Sequence, residues 1–283
     1  MNPQKAPSCT KVVLLGTGTP IADPLRSGPS VAVVVDQSPY IIDFGPGVVR
    51  RAAAAFQAGV EGLAVQHLTR AFCTHLHSDH TAGYPDLIFT PGVLGRSEPL
   101  CVYGPGGLRH MTDHIMAAYQ EDLRVRIEGL EPSDPNGYTV NVHEIKPGLI
   151  YEDENVVVDA FCVRHGPWPA FGFKFTTPDR SIVISGDTTP VEIMVEKAKG
   201  CDILIHEVYS AETLKKRSAD WQTYHTNMHT SSQELARIAG QAKPELLVLY
   251  HQLYWGCSDE DLIKEVKSHY CGEVVSGKDL DTF

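Results

Sequence analysis

The sequence predicts an α/β fold of four layers, an αββα sandwich in which two sheets pack together with helices outside them. Three observations carry that expectation. Short Val/Ile/Leu-rich runs of strand length recur in both halves of the chain. Helical patterns follow the strands in each half, the arrangement that covers sheet faces with helices. No low-complexity stretch or linker divides the 283 residues, so one domain over 1–283 is expected.

The elements follow in order. Residues 11–15 read as a buried strand that runs into the turn Gly16-Thr17-Gly18-Thr19-Pro20. Residues 31–35 and 40–43 are two further strands, joined by a turn around Asp36-Gln37-Ser38-Pro39. Residues 48–58 are Ala-rich and stop at Gly59, as a helix does. A short strand at 71–73 and a helix over 106–122 complete the first half. In the second half, strand 156–163 leads to His165. Residues 171–176 and 181–185 form a hairpin with Pro178-Asp179 in its turn. Helix 191–199, strand 202–208, helix 231–241, strand 246–250 and helix 259–269 close the pattern.

Composition narrows the function classes. A net charge of −11 disfavours a large polyanionic partner, because nucleic-acid binders usually present a basic face. Lys215-Lys216-Arg217 is the one tight basic run and reads as a solvated face. No apolar run approaches the ~20 residues that span a bilayer, so no membrane partner is expected. Residues 1–11 lack the apolar stretch of a secretory leader. The seven scattered cysteines, without a CxxC pair, fit free thiols in the cytoplasm, with Cys73 and Cys162 expected in the core.

Chemistry concentrates in Thr74-His75-Leu76-His77-Ser78-Asp79-His80. His75 and His77 lie two apart, so an extended backbone points both the same way. Asp79 and His80 follow and can face a second point. These are the N/O donors that zinc, iron or manganese accept. Further ligand types follow strands, where rigid scaffolds place functional loops: His165, Asp187 in Ser185-Gly186-Asp187-Thr188, and His251. The scattered His67, His110, His114, His143 and His269 read as ordinary surface or core residues.

Taken together, these marks resemble the metallo-β-lactamase superfamily over nearly the whole chain. The opening Leu15-Gly16-Thr17-Gly18, the pair His206-Glu207 and the helix start His229-Thr230-Ser231 are most similar to its tRNase Z branch. The resemblance implies that His75, His77, His165 and Asp187 hold one zinc ion, and that Asp79, His80, Asp187 and His251 hold a second, with manganese or iron(II) as substitutes. It implies a shared hydroxide as nucleophile. Asp79, Glu207 and His229 are then the catalytic residues, Glu207 orienting His229 and keeping it protonated so that it donates to the leaving oxygen. Asp43 is similar to the superfamily's buried aspartate that supports the histidine-rich loop. A homodimer follows from the same resemblance.

Three features depart from the tRNA-cutting members. No inserted Gly/Pro-rich arm is evident, the loop over 19–30 is not the branch's basic one, and the charge is acidic. That loop is similar to the opening of zinc-dependent arylsulfatases in the branch, which implies that Arg26 contacts a sulfate or phosphate oxygen. Trp168, Phe171, Trp221, Tyr224, Tyr254 and Trp255 lie near candidate ligands, and two or three of them, Trp168 and Trp255 included, are expected to touch substrate. The expected activity is hydrolysis of small phosphate or sulfate esters. A tRNA 3′-end endonuclease (ribonuclease Z) is the first alternative, lactone or β-lactam opening the next, and a non-enzymatic metal-binding protein the last.

Overall fold

The computed structural model describes residues 9–283. Residues 1–8, on which most of the leader expectation falls, lie outside the described residues. One sheet runs in the order β1 (Thr10–Gly16), β2 (Ser30–Val35), β3 (Ser38–Ile42), β4 (Arg70–Phe72), β5 (Leu100–Gly104), β6 (Val140–Glu144). Its first three strands pair antiparallel and the rest parallel. The other sheet contains β7 (Gly148–Glu152), β8 (Val157–His165), β9 (Trp168–Thr176), β10 (Ser181–Ile184), β11 (Ile203–Tyr209), β12 (Leu246–Leu253) and β13 (Glu273–Ser276), adjacent in that order. It is antiparallel as far as β10 and parallel beyond.

The helices are α1 (Val48–Gln57), α2 (Ser78–Thr81), α3 (Tyr84–Val93), α4 (Leu108–Ala118), α5 (Gln120–Glu128), α6 (Glu192–Ala198), α7 (Ala211–Leu214), α8 (Ala219–Met228), α9 (Ser232–Ala242) and α10 (Asp259–Lys267). Strand alternation sorts them into layers. Val12, Leu14, Val31 and Val33 meet Phe173, Phe175, Ile182 and Ile205 between the sheets. Val13, Leu15 and Ala32 face the other way, onto α1 and α3. Leu204, Leu247 and Leu249 turn outward onto α6, α9 and α10. The αββα sandwich is therefore present, and the expected hairpin pairs Thr176 with Ser181.

Several expectations need correction. The helix over 106–122 is two helices, broken at Tyr119, whose ring packs 4.6 Å from Phe89. Helix α3 went unread because Pro85 and Pro91 look like breakers; Pro85 sits in its first turn, where no backbone N–H is needed. Cys73 is buried as expected, but Cys162 is exposed, since the strand period turns it away from the buried Phe161 and Val163. Among the described residues, no helix is long and apolar enough to cross a membrane.

Candidate metal centre and substrate pocket

The cluster residues meet at one edge of the sandwich, each delivered by a strand end or the turn after it. β4 feeds the loop carrying His75 and His77, and α2 presents Asp79 and His80. The last residue of β8 is His165. After β10 the chain turns at Gly186, whose φ of 59° suits glycine, and presents Asp187. His251 comes from β12. The loop after β3 lies against α2 so closely that a Cβ at Gly45 would stand 2.5 Å from the Asp79 carbonyl oxygen.

Two donor sets result. His77 Nδ1 lies 3.0 Å from His75 Nε2 and 3.1 Å from His165 Nε2. Asp187 Oδ2 lies 3.8 and 3.7 Å from those two Nε2 atoms. Such spacings approach the edges of a tetrahedron around zinc, about 3.3 Å for bonds of ~2.0–2.1 Å. In the second set, His251 Nε2 is 3.2 Å from Asp79 Oδ2, and His80 Nε2 is 3.6 Å from the same oxygen. Asp187 joins this set too, with Oδ1 3.4 Å from His80 Nε2 and Oδ2 3.7 Å from His251 Nε2.

The donors fit divalent cations. His80 Nε2 and Asp187 Oδ1 are fully buried and face each other, yet neither has a hydrogen-bond partner among the described residues. Buried polar atoms normally find partners, and one cation would satisfy both. The outer ring nitrogens of His80, His75 and His165 are held by the protein. Asp43 accepts from His80 Nδ1 at 2.7 Å and from the Thr74 backbone N–H at 2.7 Å. Thr74 Oγ1 contacts His75 Nδ1 at 2.9 Å, and His165 Nδ1 donates to the Met228 carbonyl at 2.8 Å. Such partners set the tautomer that aims Nε2 at the centre.

Electrostatics favours metal-ready states in part. Burial, then His80, holds His75 well below the usual histidine range. His77 is pushed down to about 4, by burial and then by His165. Burial alone would raise the Asp187 carboxyl, but the imidazoles of His251 and His80 hold it well below the carboxylate range. For His80, burial is outweighed by Asp187, Asp43 and Asp79, which hold the imidazole well above its usual value.

Glu207 and His229 sit beside this centre. Glu207 Oε1 accepts from the backbone N–H groups of Thr188 (3.1 Å) and Thr230 (3.0 Å) and lies 3.3 Å from His229 Nδ1. Burial and then Asp187 push the Glu207 carboxyl well up, and burial pushes His229 down to about 4. Enclosure of the pair thus favours the uncharged form of each partner. A carboxylic acid beside a neutral imidazole holds the same number of protons as a carboxylate beside an imidazolium.

A cavity of about 380 Å³ opens above, with His77, Asp79, Asp187, His229 and His251 at its floor. Its walls include Trp221, Tyr224 and Trp255, so three of the six expected aromatics line it. Trp168 packs edge-on against His77, 4.6 Å between ring centres. Tyr254 and Phe171 point elsewhere, into the Arg26 cluster and the core. The expectation for Arg26 is corrected. Its two terminal nitrogens donate to Thr17, Gln252, the Gly277 carbonyl and Tyr254 and pair with Asp259, and the side chain does not line the cavity. Arg217, read as solvated, lines the pocket. Sequence reasoning gave it no functional role and left that of His225 open; His225 lies on α8 four residues before its C-cap His229, and that i, i+4 spacing was the available signal.

Comparison with known proteins agrees with this architecture. Residues 39–252 match the family model for the beta-lactamase superfamily domain. Ribonuclease Z of Mycobacterium bovis (strain BCG / Pasteur 1173P2) is 30% identical over 279 residues, 95% of this chain and 96% of the relative. Ribonuclease Z of Mycobacterium sp. (strain KMS) is 33% identical over 246 residues, covering 86% and 84%. Human tRNase Z, short form, superposes with a TM-score of 0.69 at 25% identity, covering 96% of this chain and 98% of that one. The metallo-beta-lactamase fold protein YhfI from Bacillus subtilis shares the fold, with a TM-score of 0.72, 18% identity and coverage of 97% and 98%. Matched by the family model through its ligand-bearing strands and by ribonucleases Z nearly end to end, the chain belongs to the beta-lactamase superfamily and, within it, to the ribonuclease Z family.

Proposed function

We propose that this chain is a dinuclear metal-dependent phosphodiesterase that cuts RNA at the 3′ end of tRNA precursors. One observation carries the proposal: two donor sets meet at Asp187 beside the buried Glu207–His229 pair, in a chain that spans its ribonuclease Z relatives nearly end to end. The relatives favour this substrate over the small ester expected from the missing arm, the loop over 19–30, the acidic charge and the aromatic loops. The acidic charge concerns grip on a polyanion, and the bond-breaking centre is a separate matter.

His75, His77, His165 and Asp187 would hold one zinc ion, and Asp79, His80, His251 and Asp187 the other. Bound there, the pair would activate water and neutralise phosphoryl charge. Asp187 is suited to sharing, because Oδ1 faces His80 while Oδ2 faces His75, His165 and His251. His229 lines the pocket and turns Nδ1 toward Glu207, which leaves Nε2 for the leaving oxygen. Glu207, whose Oε1 lies 3.3 Å from Nδ1, would orient the ring for that proton transfer. The N–H groups of Thr188 and Thr230 hold Glu207 in register for that transfer.

A small aryl phosphate or sulfate ester is the second candidate, favoured by the aromatic pocket walls, with Trp255 as its contact and Trp168 outside the cavity, against His77. The test incubates zinc-loaded protein and Asp79→Ala with a 3′-extended tRNA, bis(p-nitrophenyl) phosphate and p-nitrophenyl sulfate. Zinc-dependent removal of the tRNA trailer, lost in Asp79→Ala, is expected. Turnover of the phosphate diester without RNA cleavage would transfer the assignment to the small ester, and turnover of the sulfate alone would overturn phosphodiester chemistry. The protein is further proposed to pair into homodimers; light scattering that finds a 31.0 kDa species at working concentration would exclude this.

A further inference from the structure

The mouth of the pocket contains more than the hydrolytic centre needs. On α8, Trp221 and Tyr224 remain 48% and 42% exposed, although both line the cavity. Across from them stands Trp255, held in a left-handed backbone conformation (φ 44°) that a bulky residue adopts only when its surroundings impose it. Between the two tryptophans lies the buried ring of His225, with centres 5.5 Å from Trp221 at 22° and 4.4 Å from Trp255 at 53°. That ring continues to His229, 5.6 Å away, so a wall of π-faces runs from solvent to the proton donor.

Arg217 completes the group. Its guanidinium lies over both tryptophans, 5.6 Å from the Trp221 centre and 5.9 Å from the Trp255 centre. Among the described residues it has no carboxylate partner, unlike Arg26, Arg50 and Arg126. A cation stacked on aromatics, unpaired, at the entrance of a phosphodiesterase pocket suits an arriving anion. Exposed π-faces beside it suit a planar ring, since base–aromatic stacking is favourable for every base and needs no hydrogen-bond readout.

We propose that Trp221, Trp255 and Arg217 form a subsite that stacks a planar aromatic ring, the nucleobase next to the scissile ester, and pairs with its neighbouring phosphate. This rests on the phosphodiesterase reading of the centre. It adds the part of the substrate that is gripped: a ring-bearing nucleotide rather than the sugar–phosphate backbone alone. Trp221 and Arg217 are recognition residues here, with no role in bond cleavage.

The test is calorimetric and independent of turnover. Zinc-loaded protein is titrated with 5′-CMP, ribose 5-phosphate and phenyl phosphate. Stacking predicts that 5′-CMP binds about 5- to 150-fold tighter than ribose 5-phosphate. Trp221→Leu should abolish that ratio, and Trp221→Phe should retain most of it, which separates lost stacking from a misfolded helix. Arg217→Ala should weaken 5′-CMP and ribose 5-phosphate equally. Equal binding of 5′-CMP and ribose 5-phosphate by the parent protein would overturn the subsite, as would an unchanged ratio in Trp221→Leu. Phenyl phosphate binding as tightly as 5′-CMP would keep the ring subsite and identify a simple aryl group as its occupant; weaker phenyl phosphate identifies the nucleobase. A ring preference in a protein that hydrolyses no diester would retain the subsite and remove the proposed function, and diester cleavage without a ring preference would do the reverse.

Discussion

Asp43→Asn tests whether the second donor set depends on one buried carboxylate. Asp43 is 2% exposed and has a φ of 57°, a left-handed conformation that asparagine also tolerates, so the backbone has no reason to move. Its Oδ1 accepts from the Thr74 N–H (2.7 Å), its Oδ2 accepts from His80 Nδ1 (2.7 Å), and the Thr74 hydroxyl lies 3.0 Å from Oδ1 and 2.8 Å from Oδ2. An asparagine can retain the Thr74 N–H contact and the 3.0 Å hydroxyl contact through its carbonyl oxygen. Its NH2 group then faces His80 Nδ1, and two donors cannot share one hydrogen bond. An unsatisfied buried donor costs about 1–3 kcal/mol, so His80 escapes by moving its proton to Nε2. That atom is the one aimed at Asp187 Oδ1 and Asp79 Oδ2, and once protonated it cannot ligate. Affinity for one of the two ions should fall roughly 10- to 100-fold. The set of His75, His77 and His165 keeps its Thr74 and Met228 contacts and should bind as before. Competition with a chromogenic zinc chelator measures both ions. Two unchanged affinities in Asp43→Asn would refute the tautomer reasoning.

His229→Ala should leave zinc stoichiometry intact and lower kcat by about 10²- to 10⁴-fold, most for poor leaving groups; equal losses across a leaving-group series would remove the proton-donor role. Metal-free protein should lose thermal stability as pH falls from about 6.5 to about 4. His77, His206, His225 and His229 each have native values near 4, below the unfolded value, so their contribution is full above the unfolded value and fades as the unfolded chain takes up protons. Calorimetric Tm values that rise over that interval would contradict the sign. Arg96→Met should destabilise the fold by at least about 3 kcal/mol, read by urea unfolding, without changing zinc binding. The Arg96 guanidinium is buried and donates to the carbonyls of Leu68, Leu87, Ile88 and Gly137, which its loss leaves short of donors.

What was legible in the sequence followed from local chemistry. His75, His77, Asp79 and His80 announce themselves by spacing, and His165, Asp187 and His251 by following apolar runs. Asp43 was readable only through resemblance, because nothing local says that its carboxylate reaches residues 74 and 80. Arg26 was misread because a loop arginine near a glycine turn looks free, whereas its acceptors come from β12, the loop before α10, the first residue of α10 and the chain after β13, more than 220 positions away apart from Thr17. Arg217 was misread in the opposite direction. Its basic run looks solvated, and only the fold brings it over Trp221 and Trp255. Helix α8 has no clear apolar period because one of its faces lines the pocket instead of the core.

The corrected role of Arg26 bears on how His251 reaches the centre. In a regular β12, alternation would put His251 on the outer face with Leu247 and Leu249, away from Asp79. The β11–β12 register instead shifts: Glu207 pairs with Tyr250 and Val208 with Gln252, so His251 is the extra residue of a bulge. With φ at 45°, it turns back into the site and comes within 3.2 Å of Asp79. A left-handed conformation in a residue of this size costs about 1–3 kcal/mol and persists only when neighbours over-determine it. The next residue supplies that constraint. Gln252 donates through Nε2 to the carbonyls of Leu249 and Gly277 and accepts from Arg26 through Oε1. Arg26 is tied in turn to Tyr254 and Asp259. The loop after β1 is therefore joined, through Gln252, to the backbone of β12 beside His251. An arginine whose terminal nitrogens are taken up by the protein thus braces the residue next to one of the seven candidate ligands.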